Sequence, residues 1–419
     1  PIYINGFLPQ IKTDIKDISI SVGIKGEKRG WNIDFSNTYG SNSMIYTVDN
    51  SLNASQQNAS ETVFDAGGYS YSQNSVNLDI NRFFNNALKG IYLSFGSAFR
   101  LENYQIYAGE QPSYSSYDTL GQIISSPEQM APLDFFGRSR PGGAQVYPGF
   151  RDVNELLKYR NSISFYADAE ANFTEGILLD AALRYENYSD FGSTLNAKLA
   201  TRIKIFKNIN LRASLNTGFR APSLQQLYFN STSTIFNDVG IPEEVGLFSN
   251  DSKVAALLGI PELEEEVSQS ASIGITANIP AAFLKLTADA YIIGIQNRIV
   301  LTGQFEATTE DLEVLFMQAG ASQAAFFANA IDTRSQGLDV VIENNLNFST
   351  DFNLKNVLSA TFSKTIRVGD IHASPILEES GQLETYFDER ASIFLEKAVP
   401  RTKINLTNIL TYKKWNFFL

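Results

Sequence analysis

Apolar and polar residues alternate with period two in segments of about ten residues along this chain, and no other feature restricts the fold as strongly. In 209–219, Ile209, Leu211, Ala213 and Leu215 alternate with Asn210, Arg212, Ser214 and Asn216. In 161–173, Ile163, Phe165, Ala167, Ala169 and Phe173 alternate with Ser162, Ser164, Asp168, Glu170 and Asn172. The pattern returns in 269–279 (Ala271, Ile273, Ile275, Ala277) and in 282–292 (Leu284, Leu286, Ala288, Ala290). Each segment is a strand with one apolar and one polar face, and about ten residues suffice for a tilted strand to cross a bilayer.

Alternation alone also describes a soluble antiparallel sheet, so the connections decide. Short turns are expected near Gly26–Arg29, Asn85–Lys89, Thr174–Gly176, Lys207–Asn208, Pro280–Ala281 and Ser349–Asp351. Between them fall long stretches at about 41–74, 106–159, 220–265, 298–335 and 367–401, with Asp190–Ser193 a modest exception. Tight turns at one end and long loops at the other are the asymmetry of an outer-membrane barrel, with its turns in the periplasm and its loops outside the cell. About fourteen strands are predicted, near 17–24, 31–40, 75–84, 91–105, 161–173, 177–189, 195–206, 209–219, 269–279, 282–297, 336–347, 352–366, 402–412 and 415–419. The fold class is therefore all-β, a transmembrane antiparallel up-and-down barrel, with residues 1–419 forming part of its wall. Tyr185, Tyr188, Phe191, Trp415, Phe417 and Phe418 fall near strand ends, where an aromatic girdle lies, with core packing as the alternative for each.

Composition removes several rivals. The 419 residues are 43% hydrophobic and 19% charged, too apolar for a disordered chain. No apolar run reaches eighteen residues, which excludes a transmembrane helix and leaves a strand-built span open. A net charge of −12 argues against nucleic acid as a partner. Without cysteine the chain has no disulfide and no thiolate metal site. Its single histidine, His372, excludes a histidine-based triad or a multi-histidine metal centre; it reads as a solvated loop side chain, with a pH-sensitive or metal contact as the alternative. Pro141-Gly142-Gly143 reads as a turn, and no phosphate-binding glycine motif follows a strand. The Glu262, Glu264, Glu265, Glu266 cluster reads as solvated loop charge, since it lacks the spacing of a calcium loop. No enzyme activity, resident cofactor or metal is expected.

Several stretches resemble those of TonB-dependent outer-membrane receptors in the form common among Bacteroidetes. Gly218-Phe219-Arg220-Ala221-Pro222-Ser223-Leu224 is similar to a family segment that leaves a mid-barrel strand for a long loop. Phe95-Gly96 through Arg100-Leu101-Glu102-Asn103-Tyr104, Ala108-Gly109-Glu110 and Ser113-Tyr114 resemble another block. Tyr185-Glu186-Asn187-Tyr188-Ser189-Asp190-Phe191-Gly192 and Asn329-Ala330-Ile331-Asp332-Thr333, with Gly337 and Asp339, are further matches in family order. The resemblance implies a 22-stranded barrel in the bacterial outer membrane, filled by a plug that contacts the TonB complex. Plug, TonB-contact segment and export signal are then expected before Pro1, and further strands on both sides. It also implies uptake of a scarce ligand such as a metal chelate, vitamin or oligosaccharide. A passive porin, or a scaffold within a larger envelope complex with a surface lipoprotein as partner, are the rival readings.

Candidate residues follow from the faces. With the apolar faces toward lipid, Asp168, Glu170, Asp180, Arg184, Arg212, Lys285, Asp289, Asp339 and Glu343 line the lumen, in mixed signs that suit cross-strand pairs or contact with a plug. Gly218, Phe219, Arg220, Ala221, Pro222 and Ser223 are read as shaping the strand exit. Ligand is expected on the loops, where Tyr114, Tyr117 and Tyr147 offer aromatic platforms and Arg138 and Arg140 guanidinium donors. Residues 308–319 carry a polar cap and helical spacing, predicting a short helix inside a loop.

Overall fold

A computed structural model of the chain describes residues 2–126, 129–236 and 242–419. The first eight strands are β1 (Gln10–Lys28), β2 (Trp31–Asp49), β3 (Val63–Phe84), β4 (Ile91–Tyr107), β5 (Leu156–Asn172), β6 (Ile177–Tyr188), β7 (Gly192–Phe206) and β8 (Ile209–Arg220). Two short loop strands follow, β9 (Ser231–Phe236) and β10 (Pro242–Leu247), then β11 (Glu266–Ile279) and β12 (Leu284–Leu301). After the loop strands β13 (Phe305–Glu306) and β14 (Gln323–Ala325) come β15 (Phe327–Ser349), β16 (Phe352–Val368), β17 (Thr402–Tyr412) and β18 (Trp415–Phe418). Fourteen of these form one sheet, β1-β2-β3-β4-β5-β6-β7-β8-β11-β12-β15-β16-β17-β18, in which each strand lies antiparallel beside its neighbour in order. The remaining four make a small sheet, β13-β14-β10-β9, built wholly within the loops.

Every strand expected from alternation falls on one strand of the large sheet. The twelve residues of β6 are about 41 Å of extended chain, or about 31 Å of height at a tilt of about 40°, enough to span a hydrocarbon layer.

Burial in the wall is inverted relative to a soluble protein. In β5, Ile163 and Phe165 are 41% and 49% exposed while Ser162 and Ser164, which alternate with them, are 5% and 4% exposed. The ladder carries this parity across strands: Phe165 lies opposite Tyr185, Leu199 opposite Leu215, Ala271 opposite Ile292, and Leu338 opposite Phe362. No second protein layer covers this apolar band among the described residues, and Leu183, Leu195 and Ile273 stay more than half exposed. The buried clusters sit instead at the long-loop end. One joins Val254, Leu258, Phe305, Leu312, Phe316, Phe326, Ile331, Leu377 and Tyr386. Another joins Tyr104, Ile106, Phe150 and Leu224.

Local chemistry explains several boundaries. The first turn is Arg29–Gly30, not Gly26–Arg29, because β1 pairs with β2 down to Lys28 opposite Trp31. Both turn residues have positive φ, +54° and +78°, which gives the two-residue hairpin its twist and suits glycine at the second place. The stretch 41–74 is mostly strand, so the connection shrinks to residues 50–62. Alternation fails there because the inner face turns aromatic, with Tyr46, Tyr69 and Tyr71, although the backbone ladder continues. Gly67 and Gly68 lie beside the bulge at Tyr46; a Cβ on Gly67 would sit 2.3 Å from the Tyr107 carbonyl. Of the expected girdle, Tyr188 is buried on the polar face and Phe191 stacks on it at 4.6 Å, so both fill the loop-end interior. Phe418 lies opposite Ile409, on the face away from Leu410 and Phe417.

The loops carry helices α1 (Leu224–Tyr228), α2 (Lys253–Leu258), α3 (Glu310–Ala319), α4 (Pro375–Glu379), α5 (Leu383–Tyr386) and α6 (Glu389–Glu396). The helix expected at 308–319 is α3, capped by the Thr309 hydroxyl, which accepts from Leu312 N–H.

Candidate ligand-binding site

At the loop end, the inner face of β2–β4 changes from Asn and Ser to an aromatic cluster. Tyr46 lies 5.1 Å from Tyr147 and 6.3 Å from Tyr69, and Phe229 meets Tyr69 at 5.8 Å and Phe150 at 5.9 Å, ring centre to ring centre. The hydroxyls of Tyr46 and Tyr69 both donate to the Met44 sulfur. Tyr46, Tyr147 and Phe229 form one wall of a cavity of about 1160 Å³. The cavity is also lined by the continuous run 298–304 and by α5 and α6, which bring Glu384, Arg390 and Phe394. Arg298 donates to Thr333 Oγ1 at 3.2 Å, and Arg390 lies 6.0 Å from the Phe394 ring. Gln323 also lines the cavity, and its side-chain Oε1 is buried with no hydrogen-bond partner among the described residues. Burial pushes the Tyr147 hydroxyl above its usual range, so the platform is neutral at physiological pH.

Of the five loop residues expected to meet ligand, Tyr147 alone lines this cavity. Tyr117 is buried, and its N–H donates to Ser55 Oγ of the connection between β2 and β3. Tyr114 is half-buried beside Asp152 and Arg151. Arg138 and Arg140 sit on an exposed tip: Arg138 pairs with Asp134 at 3.1 Å and lies over Phe136, and Arg140 donates to the Leu133 carbonyl. Sequence reasoning missed Tyr46, Phe229, Arg298, Glu384 and Arg390, which come from four separate segments. For Tyr46 a signal exists in the run of aromatics at 46, 69, 71 and 104, all of one strand parity.

The nine charged residues assigned to the wall all project on its polar face. Arg212 pairs with Asp289, Nε to Oδ1 at 2.8 Å; Asp180 pairs with Lys198, Arg184 with Glu186, and Glu343 with Lys355 at 3.2 Å. Asp339 accepts from the Thr361 hydroxyl at 2.7 Å. Asp168 and Glu170 lie beside Asp180, and Lys285 lies across from Glu343. Glycine makes room for such groups: a Cβ on Gly274 would overlap Asp289, and one on Gly337 would meet the Tyr291 ring at 2.5 Å.

The strand-exit motif is held from below by a buried ion pair. Gly218, Phe219 and Arg220 end β8; Ala221 and Pro222 leave it, and Ser223 caps α1 through a reciprocal pair of bonds with Gln226. Arg160, 4% exposed, grips Glu102 at 2.8 and 2.9 Å and donates to the Pro222 carbonyl at 2.6 Å. Its second acidic partner is Asp190, at 3.3 Å. Arg220 clamps Glu266 at 2.6 Å, and Glu266 also accepts from Ile299 N–H at 2.7 Å. Glu266 is therefore a buried structural anchor, unlike Glu262 and Glu264, which are solvated. His372 lies 3.5 Å from Asp332.

A sheet with an apolar exterior, a polar interior and an ordered cap defines the wall of a membrane β-barrel. Over residues 5–419 the sequence matches the family of TonB dependent receptor-like β-barrels, and the chain belongs to that family of bacterial outer-membrane receptors. The siderophore receptor PirA from Acinetobacter baumannii is similar over 97% of this chain and 50% of that one, at 14% identity and a TM-score of 0.58. The RagAB peptide transporter is similar over 87% and 38%, at 11% identity and a TM-score of 0.55. The FrpB iron transporter from Neisseria meningitidis is similar over 96% and 50%, at 10% identity and a TM-score of 0.54. The chain thus spans half or less of these proteins, and at such identities the likeness is one of fold. No curated protein matches the sequence.

Proposed function

We propose that this protein is the barrel wall of a receptor that captures a scarce solute in the loop-end cavity and imports it with energy delivered through TonB. The loops would face outward, and a plug would fill the polar interior and contact TonB. The observation that carries this reading is the cavity itself, about 1160 Å³ and lined by the aromatic rings of Tyr46, Tyr147, Phe229 and Phe394 together with the charged Arg298, Glu384 and Arg390. Arg298, Arg390 and Glu384 line it without an ion pair among the described residues, so charges of both signs are open to a solute. That favours an amphipathic or zwitterionic ligand over a uniformly anionic one; a vitamin, a neutral chelate or a peptide such as RagAB carries would all fit this description. Arg138 and Arg140, on the exposed tip, would meet a solute or a surface lipoprotein before it reaches Tyr147.

Uptake by cells carrying the full-length receptor tests this. Loss of TonB should abolish uptake, and Tyr147→Ala or Arg390→Ala should weaken ligand binding by about tenfold. Uptake that persists undiminished without TonB would instead establish a passive porin.

A further inference from the structure

We propose that Arg82 holds the phosphate of a membrane phospholipid at the turn end of the wall. The register puts Trp31, Ile33 and Phe35 of β2, Ile80, Arg82 and Phe84 of β3, and Leu93 and Phe95 of β4 on one face, the apolar one. Arg82 is thus a cation on the outward side of the wall. Its guanidinium carbon lies 4.6 Å from the Phe84 ring centre and 5.6 Å from that of Trp31. Trp31 in turn packs edge-on against Phe84 at 5.9 Å and Phe95 at 5.6 Å, so the guanidinium is fixed against a braced aromatic surface.

No carboxylate reaches it. Among the described residues Arg82 makes no ion pair and no side-chain hydrogen bond, while Asp34, Asp79 and Glu27 sit on the opposite face by register. The residue opposite Trp31 on β1 is Lys28, which adds a second positive charge to the same face. A guanidinium facing a bilayer without a counter-charge is strongly disfavoured, so its partner comes from outside the chain. Arg82 lies just before the turn at residues 85–90 and beside the Arg29–Gly30 turn, at the level where an amphipathic ring such as that of Trp31 meets lipid headgroups. The anionic group present there in quantity is lipid phosphate, which a guanidinium fork matches with two parallel bonds. Turns of outer-membrane barrels face the periplasm, so the occupant is a phospholipid of the inner leaflet.

The chain has two tryptophans, so in a Trp415→Phe background Trp31 is its sole indole reporter; the remainder of the full-length receptor should carry Phe in place of any further Trp. Detergent-solubilised full-length receptor should be titrated with acyl-brominated phosphatidylglycerol and with equally brominated diacylglycerol, which lacks the phosphate. Trp31 should be quenched at about fivefold lower concentrations of the phospholipid. Arg82→Gln should erase that preference and Arg82→Lys should keep part of it, with heat-modifiable gel mobility confirming that each variant is folded. Equal quenching by both lipids with Arg82 intact, or a preference that survives Arg82→Gln, overturns the proposal. If the Gln variant fails to fold, the comparison of the two lipids with Arg82 present still decides.

Discussion

Arg160 shows how a single side chain at the rim of the wall orders a loop. Its guanidinium is removed from water, satisfied by Glu102, and spends a further donor on the Pro222 carbonyl, so the strand-exit segment is tied to β5. Neutralising Glu102 leaves the buried Arg160 with only the more distant Asp190 as counter-charge, which is costly, whereas replacing both Arg160 and Glu102 by apolar residues costs far less. Glu102→Gln should therefore destabilise the loop after β8 by about 3–5 kcal/mol, read as faster proteolysis within 221–265. The double change Arg160→Met with Glu102→Leu should restore much of that resistance. Tyr386 gives a pH dependence. Burial pushes its hydroxyl up to about 12, above the value of about 10 in an unfolded chain, so the folded state holds the proton more tightly. Its contribution is intact below pH about 10 and is lost as pH rises from there toward 12. A loop cap that loosened on acidification through the neutral range, and not on alkaline titration, would contradict this assignment.

At the scale of the strand, parity is the controlling quantity. Leu199 and Ala200 are adjacent in β7 but face opposite ways, Leu199 beside Ala181 and Leu215, Ala200 beside Asp180 and Ser214. Leu199→Arg should cost about 2–4 kcal/mol of folding free energy, while Ala200→Arg, which meets the Asp180 carboxylate, should cost little. Urea unfolding in lipid vesicles measures both, and equal costs would remove the case that the two faces have different surroundings. The bulge at Tyr46 makes a second prediction. Gly67 has φ of +73° and no room for a Cβ, so Gly67→Ala should lower the yield of folded receptor, because both the backbone conformation and the Tyr107 carbonyl oppose it.

The whole molecule divides into a wall without a hydrophobic core of its own and a cap that has one. In the cap, Phe326 and Leu377 are buried where loops distant in sequence meet. Leu377→Ala should cost about 2–5 kcal/mol there and loosen α4–α6, leaving the strand ladder and its circular dichroism intact. The strands of the wall were legible because membrane spanning imposes a local rule, one greasy and one wet residue in turn, that each segment obeys by itself. So were the α3 cap and the strand-exit motif, whose signals lie within a few residues. The four-stranded loop sheet, the extension of β2 and β3 past the alternating region, and the cavity were not legible. Tyr46, Tyr147, Arg298 and Arg390 share a site only because loops carrying Tyr147 and Arg390 fold over the ends of two strands distant in sequence, β2 and β12, and no local pattern records which segments meet there. By itself the sequence determined the class of fold, the strand parity and hence which residues share a face of the sheet, since these follow from nearest-neighbour alternation and hydrogen-bonded register. Only the tertiary structure decided which loop residues wall the cavity and which anchor loops instead, because that choice rests on contacts between segments far apart in the chain.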